Sequence, residues 1–222
     1  MANELAVRYE VDGTELTLNP GIVYRYLTGG RTDIPESEVA KFIMLCQARK
    51  LNPFTGDVYL TAYNTREGVK TSIITGKETF TKRAQRNPRF KGLEAGITVL
   101  SPDGTRLSRR EGSMKLDGEK LVGGWARVYV DGWEKPSFEE VSFSEYDTKK
   151  SLWASKPCTM VRKTAIVHAL REAFPDEFAG MYDSAEMGID EPQQPVGTVP
   201  QEALQEPEYE TPEPMAYAEE GF

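Results

Sequence analysis

Apolar positions along the chain switch between two spacings, every second residue and every third or fourth, and the switches mark its elements. Residues 1–18 predict a strand pair turning at Asp12-Gly13. Asn19-Pro20 opens a short helix that Gly29-Gly30 stops. Thr32 or Asp33 can cap a second helix reaching about Arg49, with Val39, Phe42, Ile43 and Cys46 as its core-facing stripe. After the turn Leu51–Gly56, DVYLTAY (57–63) alternates as a strand and Val69–Ile74 returns as its hairpin partner. Thr75-Gly76-Lys77-Glu78 reads as a capping box for a helix to Asn87, closed by Pro88. Four strands follow as a meander, Leu93–Leu100, Arg106–Leu116, Leu121–Val130 and Pro136–Phe143, separated by Gly-containing turns. Ser144–Leu152 is a short helix or a loop. The order of elements predicts an α+β fold, an antiparallel β-meander and hairpin packed with helices.

The last helix carries the strongest pattern. Ser155 can cap it, Pro157 suits its first turn, and Pro175 stops it after Phe174. Ala165, Ile166, Val167, Ala169, Leu170, Ala173 and Phe174 fill so wide an arc that the helix must be mostly buried. On the wheel Arg162 falls inside that arc, Lys163 near its edge and Arg171 on the polar side. A buried cation is costly unless paired, so an anion should face these groups. It is either a carboxylate of the chain or a phosphate.

Charge changes the picture next. The net charge is −8, which by itself argues against nucleic acid. Yet Ser184–Phe222 holds ten acids and no Lys or Arg, which leaves 27 basic and 25 acidic residues, a net of +2, in residues 1–183. Residues 61–91 hold eight Lys/Arg against two Glu, and residues 149–171 hold six and no acid. Such segregation suggests a polyanion-binding body, residues 1–187, with an acidic Pro-rich tail, 188–222, too poor in large apolar side chains to order. The chain has two cysteines and one histidine, without metal-type spacing, so a His/Cys zinc site is not expected. No apolar run is long enough to span a membrane, and the start lacks the features of a signal peptide, so a cytoplasmic protein is expected.

Catalytic motifs fail on inspection. A phosphate loop needs Gly five positions before the Gly of its Gly-Lys, where Thr71 stands, and Ser or Thr after Lys77, where Glu78 stands. Pro102-Asp103 with Asp147-Thr148-Lys149 is a loose nuclease-like pattern that turn chemistry explains. Glu139, Glu140, Glu145 and Asp147 read as a solvated face, and His168 lacks a neighbouring nucleophile. The basic, aromatic-interleaved segments remain. Single-strand binding without sequence preference uses cations along the backbone and flat side chains against bases. The candidates are Lys70, Lys77, Lys82, Arg83 and Arg86 in one unit, Lys149, Lys150, Trp153, Lys156, Arg162, Lys163 and Arg171 in another, and Arg127 on the third meander strand. Tyr63 and Trp125 are further flat side chains, although burial explains the tryptophans equally well. Arg162, Lys163 and Arg171 would line the floor of a groove, with Lys82, Arg83, Arg86, Lys149, Lys150 and Lys156 on its walls.

A resemblance sharpens this. Phe42-Ile43, Leu51–Leu60, Gly76-Lys77, Lys82-Arg83-Ala84, Asn87-Pro88, Gly92–Ile97, Gly123–Ala126, Glu145-Tyr146, Trp153, Pro157–Lys163, Ala169–Pro175 and Gly180-Met181-Tyr182 occur in order. Together they resemble the Bet/RecT (Redβ-like) family of phage recombination proteins over roughly residues 15–187. The resemblance implies an ATP-independent single-strand DNA annealing protein, not an enzyme, that forms rings or helical filaments. It implies no cofactor, with Mg2+ at most non-essential. It implies work beside a 5′→3′ exonuclease and a host single-strand binding protein. The tail departs from relatives with a folded helical C-terminal domain; its end, Glu-Glu-Gly-Phe, resembles the tips of bacterial single-strand binding proteins. The alternatives are a single-strand binder that does not anneal and a metal-dependent nuclease.

Overall fold

A computed structural model describes residues 5–188 and 199–204. Strands β1 (Val7–Val11) and β2 (Thr14–Leu18) form the first hairpin. Asp12 and Gly13 both take positive φ at its tip, which is why Asp-Gly suits a two-residue turn. Asn19 Oδ1 accepts the Ile22 N–H at 2.9 Å to open helix α1 (Pro20–Ile22), which runs on as a π-helical turn over Val23–Leu27. Helix α2 (Glu36–Arg49) buries Val39, Phe42, Ile43 and Cys46 as its stripe requires. It starts at Pro35 rather than at a Thr32 or Asp33 cap, because Asp33 is engaged by Arg31. Hairpin β3 (Val58–Thr65) and β4 (Gly68–Thr75) leads into α3 (Lys77–Arg86). Gly76, which has no side chain, takes the cap of α3, so no capping box closes; Thr75 is the last residue of β4, and its N–H bonds Tyr182 O.

The main sheet is not the sequential meander expected. Its order is β6-β5-β7-β8, with β5 (Phe90–Leu100) between β6 (Leu107–Glu111) and β7 (Lys120–Val130), and β8 (Ser137–Ser142) at the far edge. All neighbours are antiparallel. The eleven-residue strands β5 and β7 bury Ala95, Ile97, Val99, Ala126 and Val128 on a common face, whereas β6 is short and mostly exposed. Burial therefore joins the two long strands and leaves β6 at an edge.

Short helices α4 (Phe143–Tyr146) and α5 (Ser151–Ser155) precede α6 (Pro157–Ala173), and α7 (Pro175–Phe178) follows it. Pro157 opens α6, but Lys156 takes the cap position because Ser155 ends α5 and its hydroxyl bonds Ser151 O. Ten side chains of α6 are buried, and the helix lies across the inner face of the main sheet. A β-carbon on Gly124 would come within 2.4 Å of Val161 O, so only glycine lets strand and helix approach this closely. Residues 178–187 then turn back over α6. Phe178 stacks on Phe80 at 5.4 Å, tying α7 to α3.

Residues 199–204, read from composition as part of a disordered tail, form a short 3-10 turn at Gln201–Leu204 docked on β2. Ala203 is fully buried there, and Arg25 Nη1 binds both carboxylate oxygens of Glu202 at 2.9 Å. The Glu-Glu-Gly-Phe end and the rest of the tail lie outside the described residues. Gly124→Ala should destabilise the fold by about 1–3 kcal/mol through overpacking. Chemical denaturation should show this as a lower midpoint with an unchanged slope.

Candidate nucleic-acid interface

The cations of α6 divide by where their charge is used. Lys163 is 7% exposed, and its ammonium lies 3.1 Å from Asp183 Oδ2 and 3.1 Å from the Ser184 hydroxyl. Arg171 donates to both oxygens of Glu186, at 2.8 and 2.7 Å, and to Met181 O, and stacks over Tyr182 at 5.1 Å. His168 Nε2 lies 2.8 Å from the same Glu186. Burial pushes the Glu186 carboxyl up, but its bonds from His168, Arg171 and the Asp183 N–H outweigh this and hold it at about 2. The predicted anions are thus carboxylates of the segment that folds back after α7. Lys163 and Arg171 are removed from the expected groove floor because their charge closes the core. The helix wheel misplaced them: Lys163 points inward, and Arg162 sits half-buried at the edge, its Nε donating to Ala95 O at 3.2 Å.

The hairpin–α3 group is also largely matched with acids. Lys70 faces Glu67, Lys77 faces Glu78, Lys82 lies 3.5 Å from Asp57, and Arg86 lies 2.6 Å from Asp12. Arg83 is the exception. Burial pulls its pKa down, opposed by Glu177 and Asp57, and among the described residues its guanidinium makes one bond, at 3.4 Å to Lys50 O. Lys50, Arg83 and Arg86, with Asp12 and Glu177, line a cavity of about 380 Å3. Arg127 pairs with Glu94 and lies over Trp125 and Phe138, on the sheet face away from α6. Trp153 is 4% exposed, packed against Phe143 and Tyr146, so it cannot stack on a base without opening the core.

The remaining candidates stand together. Lys149, Lys150 and Lys156 are exposed, and among the described residues none is in an ion pair. Lys149 takes positive φ in the turn into α5, and Lys156 sits at the cap of α6. The first turn of α6 has no acid, so the helix dipole adds to their positive field. Arg162 projects from the same end. Lys115, which the sequence reading missed, is close enough to Cys158 to oppose the rise that burial gives its thiol. No pattern flags Lys115, because it lies in the β6–β7 connection. The two basic groups do not converge within one copy. The α3 group meets α7, at the C-terminal end of α6, while Lys149, Lys150 and Lys156 stand at its N-terminal end, about 25 Å away at 1.5 Å per residue over 17 residues.

Among the described residues no three His, Cys, Asp or Glu side chains converge as metal ligands, and no helix is long and apolar enough to cross a membrane. The RecT family model matches residues 28–198. The chain belongs to the RecT family of single-strand annealing proteins. An uncharacterised protein of Ureaplasma parvum is 30% identical over 178 residues, covering 78% of this chain and 72% of that protein. The family match spans both basic groups and the buried ion pairs of α6.

Lys163→Ala should cost about 3–5 kcal/mol, because it leaves Asp183 buried without its cation, and Lys163→Met with Asp183→Leu should recover most of that loss. Glu186 binds its proton less readily folded than unfolded, so its contribution is complete above pH 4.5 and fades as pH falls toward about 2. Urea midpoints across that window should fall for the wild type and fall less steeply for Glu186→Gln.

Proposed function

We propose that this RecT-family chain binds single-stranded DNA through its phosphates and pairs complementary strands without ATP. The observation that carries this is the set of cations at the start of α6, Lys149, Lys150 and Lys156, that make no ion pair among the described residues, joined by Arg162 and Lys115, in a chain of this family. Two strands repel through their phosphates, and cations along both remove that barrier. Contacts to phosphates carry no sequence information, which suits a protein that must accept any sequence. Base pairing and stacking in the product supply the driving force, so no covalent step is needed and Mg2+ is not essential.

Because one copy offers a single compact cluster at this end of α6, a continuous track requires copies side by side in a ring or helical filament. Arg83, Lys50 and Arg86 at the other end of α6 form a secondary contact. In a recombining cell the substrate would come from a 5′→3′ exonuclease and be shared with a single-strand binding protein, in the cytoplasm.

Removing three phosphate contacts should lower the slope of log affinity against log salt by about two, at about 0.7 per contact for single strands. Lys149, Lys150 and Lys156 changed together to Ala should show this on an oligo(dT) ligand. The wild type should speed the pairing of two complementary labelled strands without ATP. Binding with no faster pairing would identify a protective single-strand binder instead.

A further inference from the structure

The four-stranded sheet ends in two unpaired edges. Among the described residues, neither β6 nor β8 makes a ladder on its outer side, and no other backbone hydrogen bond reaches those edges. An exposed edge invites pairing unless it is blocked. On β6 the direction of the free groups can be worked out. The bonds Ser101 N–H to Arg106 O and Gly112 N–H to Ala95 O place Arg106, Ser108, Arg110 and Gly112 in hydrogen-bonded pairs with β5. In an antiparallel ladder such pairs alternate with pairs whose backbone groups point outward. Leu107, Arg109 and Glu111 therefore present their N–H and C=O to the open edge.

The edges differ in sign. Arg109 of β6 is already held by Glu140 of β8 in the same copy and lies over Phe138, and Arg110 is held by Glu119. The charges left to the edges are Arg106 and Lys115 against Glu111 along residues 106–116, and Glu134, Glu139, Glu145 and Asp147 against Lys135 along residues 134–147. Both are flanked by exposed apolar side chains, Leu107, Met114 and Leu116 on one side and Trp133 and Phe138 on the other. Polarity also fits. In the order β6-β5-β7-β8 each strand runs opposite to its neighbour, so β6 and β8 run in opposite directions. The β8 of a second copy laid beside β6 in the same orientation continues the antiparallel alternation without interruption.

We infer that β6 of one copy pairs with β8 of the next, so that the sheet runs on through the assembly. This rests on the self-assembly proposed above and assigns it a surface. The contact joins two different edges, so each copy leaves one edge free for another and growth continues to a ring or an open helix.

Leu107→Pro tests it, because proline removes an N–H that points outward and spares the bonds to β5. Leu107→Thr keeps the N–H and is the control. Arg106→Glu, outside the strand, is a second variant that reverses one charge of the edge. Full-length proteins, checked for unchanged thermal midpoints, would be sized by mass photometry with and without oligo(dT). Wild type and Leu107→Thr should form multi-copy assemblies on DNA. Leu107→Pro alone should fall to single copies, and Arg106→Glu should give shorter assemblies at low salt. An equal mixture of wild type and Leu107→Pro should average about two copies per assembly, since each assembly ends at one blocked β6. Assembly of Leu107→Pro equal to wild type would overturn the edge pairing and leave the DNA-binding function standing. A wild type that stays monomeric on DNA would overturn both this pairing and the proposed assembly.

Discussion

The structure depends on the segment after α7 being folded back and held against α6 by buried charge. Asp183 meets Lys163, and Glu186 meets Arg171 and His168. Without these carboxylates α6 would hold desolvated cations against an apolar core, which a domain of this size cannot tolerate. With them the segment becomes a strap. It carries Tyr182 to the base of β4 through the Thr75 N–H, while α7 beside it sets Phe178 against Phe80 of α3. Charge pairing thus fixes how the β3–β4 hairpin and α3 sit against the helix and sheet.

The same helix serves two purposes at its two ends. Its interior cations are neutralised and fix the fold. Among the described residues, its N-terminal end keeps Lys149, Lys150, Lys156 and Arg162 without acidic partners, beside a helix terminus whose dipole has the same sign. Charge that remains unpaired in a protein with net charge −8 is available to a polyanion. The proposed DNA contact rests on this separation of structural from available cations.

Much of the fold was legible in the sequence. Val39, Phe42, Ile43 and Cys46 sit on one face as their spacing requires, and Asp12-Gly13 and Asn19-Pro20 act as the turn and cap they resemble. Strand order was not legible, because it follows from which strands bury a common face; the β6–β7 connection crosses β5 to place β7 on its far side. The candidate site was half legible. Clusters of Lys and Arg identify basic segments, but whether a cation is free depends on an acid that can be distant or, like Asp183, twenty residues on. Glu186 belonged by composition to the acidic end of the chain, yet it completes the core. Residues 199–204 were misread for a related reason: Ala203 is too small to register as hydrophobic patterning, yet it is buried in the turn's contact with β2, where Arg25 binds Glu202.

The division of α6 into structural and DNA-holding cations is tested most directly by lysine footprinting. The full chain would be labelled with an amine-reactive reagent with and without oligo(dT), and modification read at each lysine by mass spectrometry. The account predicts that DNA protects Lys149, Lys150 and Lys156, while Lys163 stays unmodified in both states and Lys70 stays reactive in both. Full labelling of Lys149, Lys150 and Lys156 in the presence of DNA, with protection at Lys70, Lys77 and Lys82 instead, would contradict it.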